Sequence, residues 1–305
     1  MKVLNGFNDP ACHGGFVAIG NFDGVHLGHR AMLGRLRARA TEARVPAIVV
    51  TFDPHPIAVL RPGQVPAPLT TLDRRLELIG ACDVDCVIVY PTDRQLLQLS
   101  AREFFDRVIR NQLEVRGLVE GTNFCFGKNR GGTVELLTRW CDDAGLACEI
   151  IPPLTHGGAV VSSSSIREQI NRGDVAQAAE FLATPYLVSG IVAHGDARGA
   201  KIGFPTANIE HVETLLPADG VYAGRCHCAA GTFAAAINLG TNPTFGGMIR
   251  KFEAHLLDFA GDLYGQTVRV EWIERLRGTR PFSGIEELVG QLRHDVARTR
   301  ELVRV

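Results

Sequence analysis

The feature that most constrains the fold is a change of hydrophobic period part-way along the chain. Between residue 16 and about residue 182, short apolar runs at 16–19, 47–52, 86–90, 117–120 and 147–151 alternate with segments of helical period. Such alternation predicts a parallel sheet with crossover helices. In the first helical segment, 29–43, Met32, Leu33, Leu36, Ala40 and Ala43 fall on one face. In the second, Ser100 and Glu103 form a capping box ahead of Phe104, Phe105, Val108, Ile109 and Leu113, and the third, 133–144, carries Trp140 and stops at Gly145. Two short helices, at 164–172 and 174–182, lead out of this half. Past Thr184 and Pro185 the period becomes that of strands, at 186–192, 220–229, 232–239, 251–259 and 268–277, separated by turn residues. That pattern predicts an antiparallel barrel. A closing helix is expected to begin at Ser283 with Glu286 as its box partner and Ile285, Leu288, Val289, Leu292 and Val296 at helical spacing. The expected class is α/β plus β, in two domains, 1–184 and 185–305.

Composition agrees with two domains: 305 residues with 46% hydrophobic side chains bury more than one ordinary core. Lys+Arg 32 against Asp+Glu 33 leave a net charge of -1, without the basic excess that a nucleic-acid partner requires. The first fifteen residues hold Asn8, Asp9, Pro10 and His13 where a signal peptide needs an apolar run, and no stretch has the length of a membrane span. A soluble, cytoplasmic protein is expected, monomer or homo-oligomer being left open. The 8 cysteines include no CxxC pair, and Cys226, His227 and Cys228 lack further ligands nearby, so they read as small buried hydrophobes.

The first apolar run ends in Gly20, Asn21, Phe22, Asp23, Gly24, Val25, His26, Leu27, Gly28 and His29, and a helix follows. In a parallel sheet, ligands bind at strand C-terminal ends, where a helix N-terminus turns N–H groups toward phosphate. Gly24 and Gly28 let backbone approach a nucleotide, and His26 and His29 add two imidazoles. As an isolated four-residue match, HxGH fits a surface loop equally well. A second phosphate-suited segment, Ser162 to Arg167, opens a helix with hydroxyls and a guanidinium.

In the second half, Gly195, Arg198, Lys201 and Gly203 form a glycine-rich, basic segment whose composition suits either a phosphate loop or an ordinary turn. Thr206 and Asn208, two apart on an extended segment, project hard oxygens to one side, as Mg2+ carried by ATP needs. Spacing alone makes Glu253 a solvated strand residue and places Arg275, Arg277 and Arg280 on a solvated edge.

The blocks GNFDGVHLGHR (20–30), TFDPHP (51–56), GTNFCFGKNRGGT (121–133) and SSSSIR (162–167) resemble the nucleotidyltransferase domain of prokaryotic bifunctional riboflavin kinase/FMN adenylyltransferases, the FAD synthetase family. GIVAHGDARGAKIGFPTANI (190–209), LPADGVYAG (216–224), INLGTNPTFGG (237–247) and FEAHLLDFAGDLYG (252–265) resemble that family's riboflavin kinase domain. The resemblance implies a Rossmann-like N-terminal domain and a C-terminal kinase barrel. It implies ATP binding by Gly20, Asn21, Phe22, Asp23, Gly24, His26, Gly28, His29, Ser163, Ser164 and Arg167, with His26, His29 and Arg167 catalytic. Flavin would meet Phe52, Pro54, His55, Asn123 and Phe126. Ser164 stands where threonine is usual, and Asn123 where many relatives have aspartate. In the barrel the resemblance implies ATP at Gly195, Arg198, Lys201, Gly203, Thr206 and Asn208, Mg2+ at Thr206 and Asn208, and Glu253 as base beside the flavin; Phe204, Tyr222, Asn242 and Tyr264 would shape the substrate sites. The implied substrates and products are ATP, riboflavin, FMN and FAD, with neither nucleic acid nor membrane as partner. The HxGH signature is shared with class I aminoacyl-tRNA synthetases, but the chain has no KMSKS-like block and no charge excess for tRNA.

Overall fold

The computed structural model describes residues 1–7, 9–195, 198–241 and 250–304. Two compact units emerge: Met1–Pro66 with Thr71–Val161, and Ala67–Thr70 with Ser162–Val305.

In the first unit, β1 (Lys2–Asn5), β2 (Phe16–Ile19), β3 (Ala47–Asp53), β4 (Cys86–Pro91), β5 (Gly117–Gly121) and β6 (Ala147–Ile151) form one sheet in the order β1-β4-β3-β2-β5-β6. Every pairing in it is parallel. Because side chains alternate across a strand, each face of the sheet takes every second residue. Val17, Ile19, Ile48, Val50, Ile88 and Leu118 belong to one core cluster, and Phe16, Ala18, Val49, Val87 and Val119 to another. Met32, Leu33, Leu36 and Ala40 of helix Leu27–Ala43 join the second cluster. Ala43 is exposed in the last turn, just before Arg44 ends the helix in the left-handed region. The Ser100–Glu103 capping box is present, and the helix it starts, Ala101–Phe104, continues as a π-helical run, Phe105–Gln112. Helix Val134–Ala144 ends on Gly145 at φ 68. Full burial of side chains such as Leu33, Leu36 or Ile48 contributes about 1.5–3 kcal/mol each. Strand β1, exposed at Val3, carries almost no apolar pattern, which is why periodicity passes over it. A short hairpin, β7 (Thr155–His156) with β8 (Ala159–Val160), completes the unit.

The second unit is a closed antiparallel barrel of β9 (Tyr186–Ala193), β10 (Ala207–Glu210), β11 (Gly220–Cys228), β12 (Gly231–Thr241), β13 (Arg250–Leu256) and β14 (Thr267–Arg277), in the order β10-β13-β12-β11-β14-β9. Strand β10 is an element that the periodicity misses, being only four residues long. Inward residues such as Ile237, Leu239, Phe252, Ala254, Val270 and Trp272 are buried, and Trp272 meets Tyr222 edge-on at 5.0 Å. The Tyr222 hydroxyl donates to the Ala218 carbonyl inside this core, so the ring is structural. Cys226 is likewise buried, while His227 is taken up by Thr232 and Glu271. Helices Ser163–Arg172 and Val175–Leu182 pack in this unit, where Ala218 N donates to Ile170 O at 3.2 Å and Arg275 Nη1 to Arg172 O at 3.1 Å.

The last helix, Ile285–Leu302, differs from the sequence expectation at its start and on its buried face. Gly284 is its N-cap, and Ser283 bonds Glu287 through both N (2.9 Å) and Oγ (2.7 Å), so the box partner is Glu287 rather than Glu286. Ile285 is 68% exposed, whereas Asp295 and Thr299 are buried. The Asp295 carboxylate accepts from Arg277 Nη2 at 2.8 Å and Nε at 3.1 Å and from Gln291 Nε2 at 2.8 Å. Arg277 is therefore no solvated edge residue. It pins the helix through a bidentate, mostly buried ion pair, whose remaining lone pairs are satisfied.

Candidate active sites

Strand β2 ends against β3, with Gly20 N donating to Val50 O at 3.0 Å, and the chain then turns sharply. Phe22 (φ 49), Gly24 (φ 83) and Val25 (φ 39) all adopt positive φ. For a phenylalanine and a β-branched valine this is strained backbone, of the kind that clusters at ligand sites. Both side chains are buried in the core, which holds the loop in place. His26 then caps helix Leu27–Ala43, its Nδ1 accepting from His29 N at 3.3 Å. Acceptance at Nδ1 puts the proton of the neutral ring on Nε2. The two imidazoles stack at 3.7 Å between centroids, and Phe22 lies 5.2 Å from His29. Burial pushes the His26 pKa down to about 4 against the opposing pull of Asp23. Burial, and then the proximity of His26, hold His29 well below its ordinary value. Both rings are neutral near pH 7. Buried His29 Nδ1 and Asn21 Oδ1 find no hydrogen-bond partner among the described residues.

Acid should therefore weaken the first unit. The unfolded chain takes up protons on both histidines as pH falls through 6.5, the ordinary value, while the folded unit resists until about 4 at His26. The part of the first unit's stability that these histidines contribute is thus whole above pH 6.5 and declines below it, while buried Glu120, whose pKa burial raises, works in the opposite sense. Each such histidine costs up to about 1.4 kcal/mol for every pH step of one over which it is neutral when folded and charged when unfolded. Urea denaturation of a Trp272→Phe variant, which leaves Trp140 as reporter, should show a lower midpoint at pH 5 than at pH 7. Adding His26→Asn should reduce that difference.

The expected flavin residues lie at the end of β3, for Phe52, and in the loops that follow β3 and β5, the two neighbours of β2. The topology thus gathers them at one end of the sheet. Phe52 is half-buried against the core, a cis bond joins Asp53 to Pro54, and His55 Nδ1 caps helix Pro56–Leu60 by accepting from Ile57 N at 3.1 Å. Asn123 is exposed. Phe126 is buried among Phe124 (5.4 Å), Phe104 (5.7 Å) and Trp140 (6.1 Å). Among the buried polar residues that the sequence reading does not single out are Thr51, Arg75 and Glu120. Glu120 Oε1 accepts from Ile19 N at 2.8 Å, beyond the point where the β2–β5 ladder ends at Val17 and Leu118. Burial drives its pKa well up. A carboxylate directly after the apolar pair Leu118–Val119 was the available signal.

The serine block lies in the second unit. Ser162 caps helix Ser163–Arg172 by a reciprocal bond with Ser165, Ser164 is exposed, and Arg167 Nε donates to Ala67 O at 2.8 Å.

In the barrel, Asn208 on β10, Glu253 on β13 and Asn238 on β12 stand directly opposite one another. Opposed residues in adjacent strands share a face, so the expected metal ligand and base are neighbours. Asn238 Nδ2 donates to Glu253 Oε2 at 3.4 Å. Glu253 is half-buried, on the face opposite core residues Phe252 and Ala254. His255 shares that face; its Nδ1 lies 2.7 Å from Pro205 O, and Phe204 packs edge-on to its ring at 5.6 Å. The segment from Phe204 to Pro205 therefore runs beside His255, two residues along β13 from Glu253. Arg198 and Lys201 fall on a short helix, Arg198–Lys201, and are exposed; Gly203 has φ +88. Tyr264, 48% exposed, stacks on His194 at 3.9 Å. Asn242 and the end of its block lie outside the described residues.

Gly195 is required by close approach: a Cβ there would sit 2.0 Å from Asn208 Nδ2. Gly195→Ala is expected to displace the Asn208 amide and lower FMN formation at least about tenfold, leaving FAD formation from supplied FMN intact. Separate assays of the two products check this.

The family described as FAD synthetase matches residues 9–165, and that described as riboflavin kinase matches residues 182–303. The bifunctional riboflavin kinase/FMN adenylyltransferase of Escherichia coli (strain K12) is 34% identical over 305 residues, 99% of this chain and 97% of that protein. The protein of the same name from Bacillus subtilis (strain 168) is 35% identical over 284 residues, covering 92% and 89%. A crystal structure described as a macrolide-efflux protein from Streptococcus pneumoniae shares the fold at TM-score 0.88 and 31% identity, over 98% of this chain and 99% of that one. Among the described residues of this chain, no helix is long and apolar enough to cross a membrane.

Proposed function

Because the chain belongs to the bifunctional riboflavin kinase/FMN adenylyltransferase family, we propose that it makes FAD from riboflavin in two steps, each consuming ATP. The observation that carries this reading is that each family match contains its own polar cluster: His26 and His29 within residues 9–165, and Asn208, Asn238 and Glu253 within residues 182–303. We assign adenylylation to residues 1–184 and phosphorylation to 185–305.

In the barrel step, the Glu253 carboxylate takes the proton of the terminal ribityl hydroxyl as that oxygen attacks the γ-phosphorus of ATP. The bond from the γ-phosphorus to ADP breaks, giving FMN and ADP. Asn238, bonded to Glu253, orients the base. Gly195, Arg198, Lys201 and Gly203 receive the nucleotide. Thr206 and Asn208 would hold Mg2+, which supplies neutralisation of phosphate charge. A hydroxyl and an amide oxygen fit a hard cation that keeps phosphate and water ligands, and no group of three His, Cys, Asp or Glu side chains able to hold a metal occurs among the described residues.

In the second step an FMN phosphate oxygen attacks the α-phosphorus of another ATP, and the bond to pyrophosphate breaks. Neutral imidazoles meet the polyphosphate as hydrogen-bond donors. Its negative charge then draws their pKa upward, so that they oppose the charge developing on the phosphate oxygens. Ser163, Ser164 and Arg167 are assigned to ATP by their family positions, and Phe52, Pro54, His55, Asn123 and Phe126 to flavin. Neither step needs a covalent enzyme intermediate. Purified protein given FMN, ATP and Mg2+ is expected to release FAD and pyrophosphate. Flavin retention without ATP consumption would instead make this a flavin-binding protein.

A further inference from the structure

Arg75 is 8% exposed and Thr51 fully buried; Thr51 opens the TFDPHP block without being among the residues assigned to flavin, and Arg75 lies in none of the blocks. Thr51 is the fifth residue of β3, one position before Phe52, and Arg75 lies on helix Leu72–Gly80. The Thr51 hydroxyl donates to the Asn21 carbonyl at 3.2 Å, within the loop that leads to the paired histidines. The same hydroxyl accepts from Arg75 Nη1 at 3.2 Å, and Nη1 also donates to the Phe52 carbonyl at 3.2 Å. One hydroxyl and one guanidinium thus tie the strained Gly20–His26 turn after β2 to the C-terminal end of β3, from which the loop carrying Pro54 and His55 departs.

We infer that Thr51 and Arg75 form a brace that fixes the nucleotide loop against the flavin loop, making both positioning residues for adenylyl transfer. The inference rests on the adenylyl-transfer reading above. Three features favour a positioning role over general stabilisation. The bonds go to backbone carbonyls in the nucleotide loop and at the end of β3 where the flavin loop begins, not to the regular ladder between β2 and β3, which is complete without them over Phe16–Ile19. The Asn21 carbonyl is one residue from Phe22, whose positive φ persists only where surrounding structure over-determines it. A guanidinium buried to this degree is desolvated at a cost in free energy, and the carboxylates of Asp23 and Asp53 offset it only in part, as its lowered pKa shows. Such a group is costly as a mere core filler. In-line attack of one bound phosphate on another depends on where the two loops sit, and a displacement on the order of 1 Å costs up to about 100-fold in rate.

The test compares Thr51→Val, Thr51→Ser and Arg75→Met in the full chain, with kcat and KM for FAD formation from FMN and ATP, and FMN formation from riboflavin as internal control. Thr51→Val keeps shape and β-branching and loses only the hydroxyl, so kcat for FAD formation should fall about tenfold with KM values changing much less. Thr51→Ser restores the hydroxyl and should restore kcat. Arg75→Met should lower kcat similarly, and the double variant should be no slower than Arg75→Met alone, because both act through one brace. FMN formation should be parental throughout. Thr51→Val with kcat within about twofold of parent, or Thr51→Ser as slow as Thr51→Val, would overturn the brace. If Arg75→Met does not fold, the Thr51 pair decides. Failure of the parent protein itself to form FAD would strike the function, and is seen before any variant is made.

Discussion

Replacing His29 with alanine is expected to slow FAD formation by about 10²–10³-fold while FMN formation continues at the parental rate. His29 is the cleaner of the two histidines to remove. His26 caps helix Leu27–Ala43 through Nδ1, so its loss frays structure as well as chemistry. His29 Nδ1 has no hydrogen-bond partner among the described residues, so truncation breaks no side-chain hydrogen bond at that atom and removes only ring contacts with His26 and Phe22. A phosphate donor that is made only with ligand present should cost kcat more than stability. Steady-state assay of FAD and pyrophosphate, beside a thermal melt, measures both. Loss of FMN formation together with FAD formation would mean that the two chemistries do not divide as proposed.

Glu253→Gln is expected to produce the opposite outcome, a fall of about 10²–10⁴-fold in FMN formation with FAD formation from supplied FMN preserved. Glutamine keeps the size of the side chain and an acceptor oxygen for Asn238 Nδ2, which now donates at 3.4 Å. What it lacks is the ability to take the ribityl proton. The row Asn208–Glu253–Asn238 is built from register, each residue opposite the next, so the substitution leaves the neighbours in place. Phosphoryl transfer with near-parental kcat in this variant would remove Glu253 as the base.

Much of this architecture was legible because burial follows period. Runs such as 47–52 and 86–90, apolar almost throughout, belong to strands covered on both faces, and the structure puts β3 and β4 inside the sheet. Helix stops were legible at Gly145, where positive φ suits glycine. The misses have physical reasons. Strand β1 is exposed and short, β10 is four residues long, and both are held by pairing rather than by an apolar pattern. The last helix is anchored by Asp295 and Thr299, which share a face with Leu288 and Leu292 but, being polar, are passed over by a hydrophobic template. Arg277 was misread for the same cause, since its partner lies 18 residues away on another element.

Sites were legible as motifs but not as networks. The HxGH loop announced its histidines, yet the strain at Phe22 and Val25 is a property of backbone that no residue type signals. Thr51 and Arg75 meet across 24 residues of sequence, and Asn238 meets Glu253 across 15. Spacing alone made Glu253 a solvated position; half-burial between two asparagines gives it the surroundings of a site instead.

The central claim is that one chain performs two successive ATP-dependent transfers on one flavin. A chromatographic time course starting from riboflavin, ATP, Mg2+ and the parent protein tests it most directly. Riboflavin should decline, FMN should rise and then fall, and FAD should accumulate with one ADP and one pyrophosphate released for each molecule formed. FMN that accumulates without FAD or pyrophosphate would contradict the account, as would flavins left unchanged.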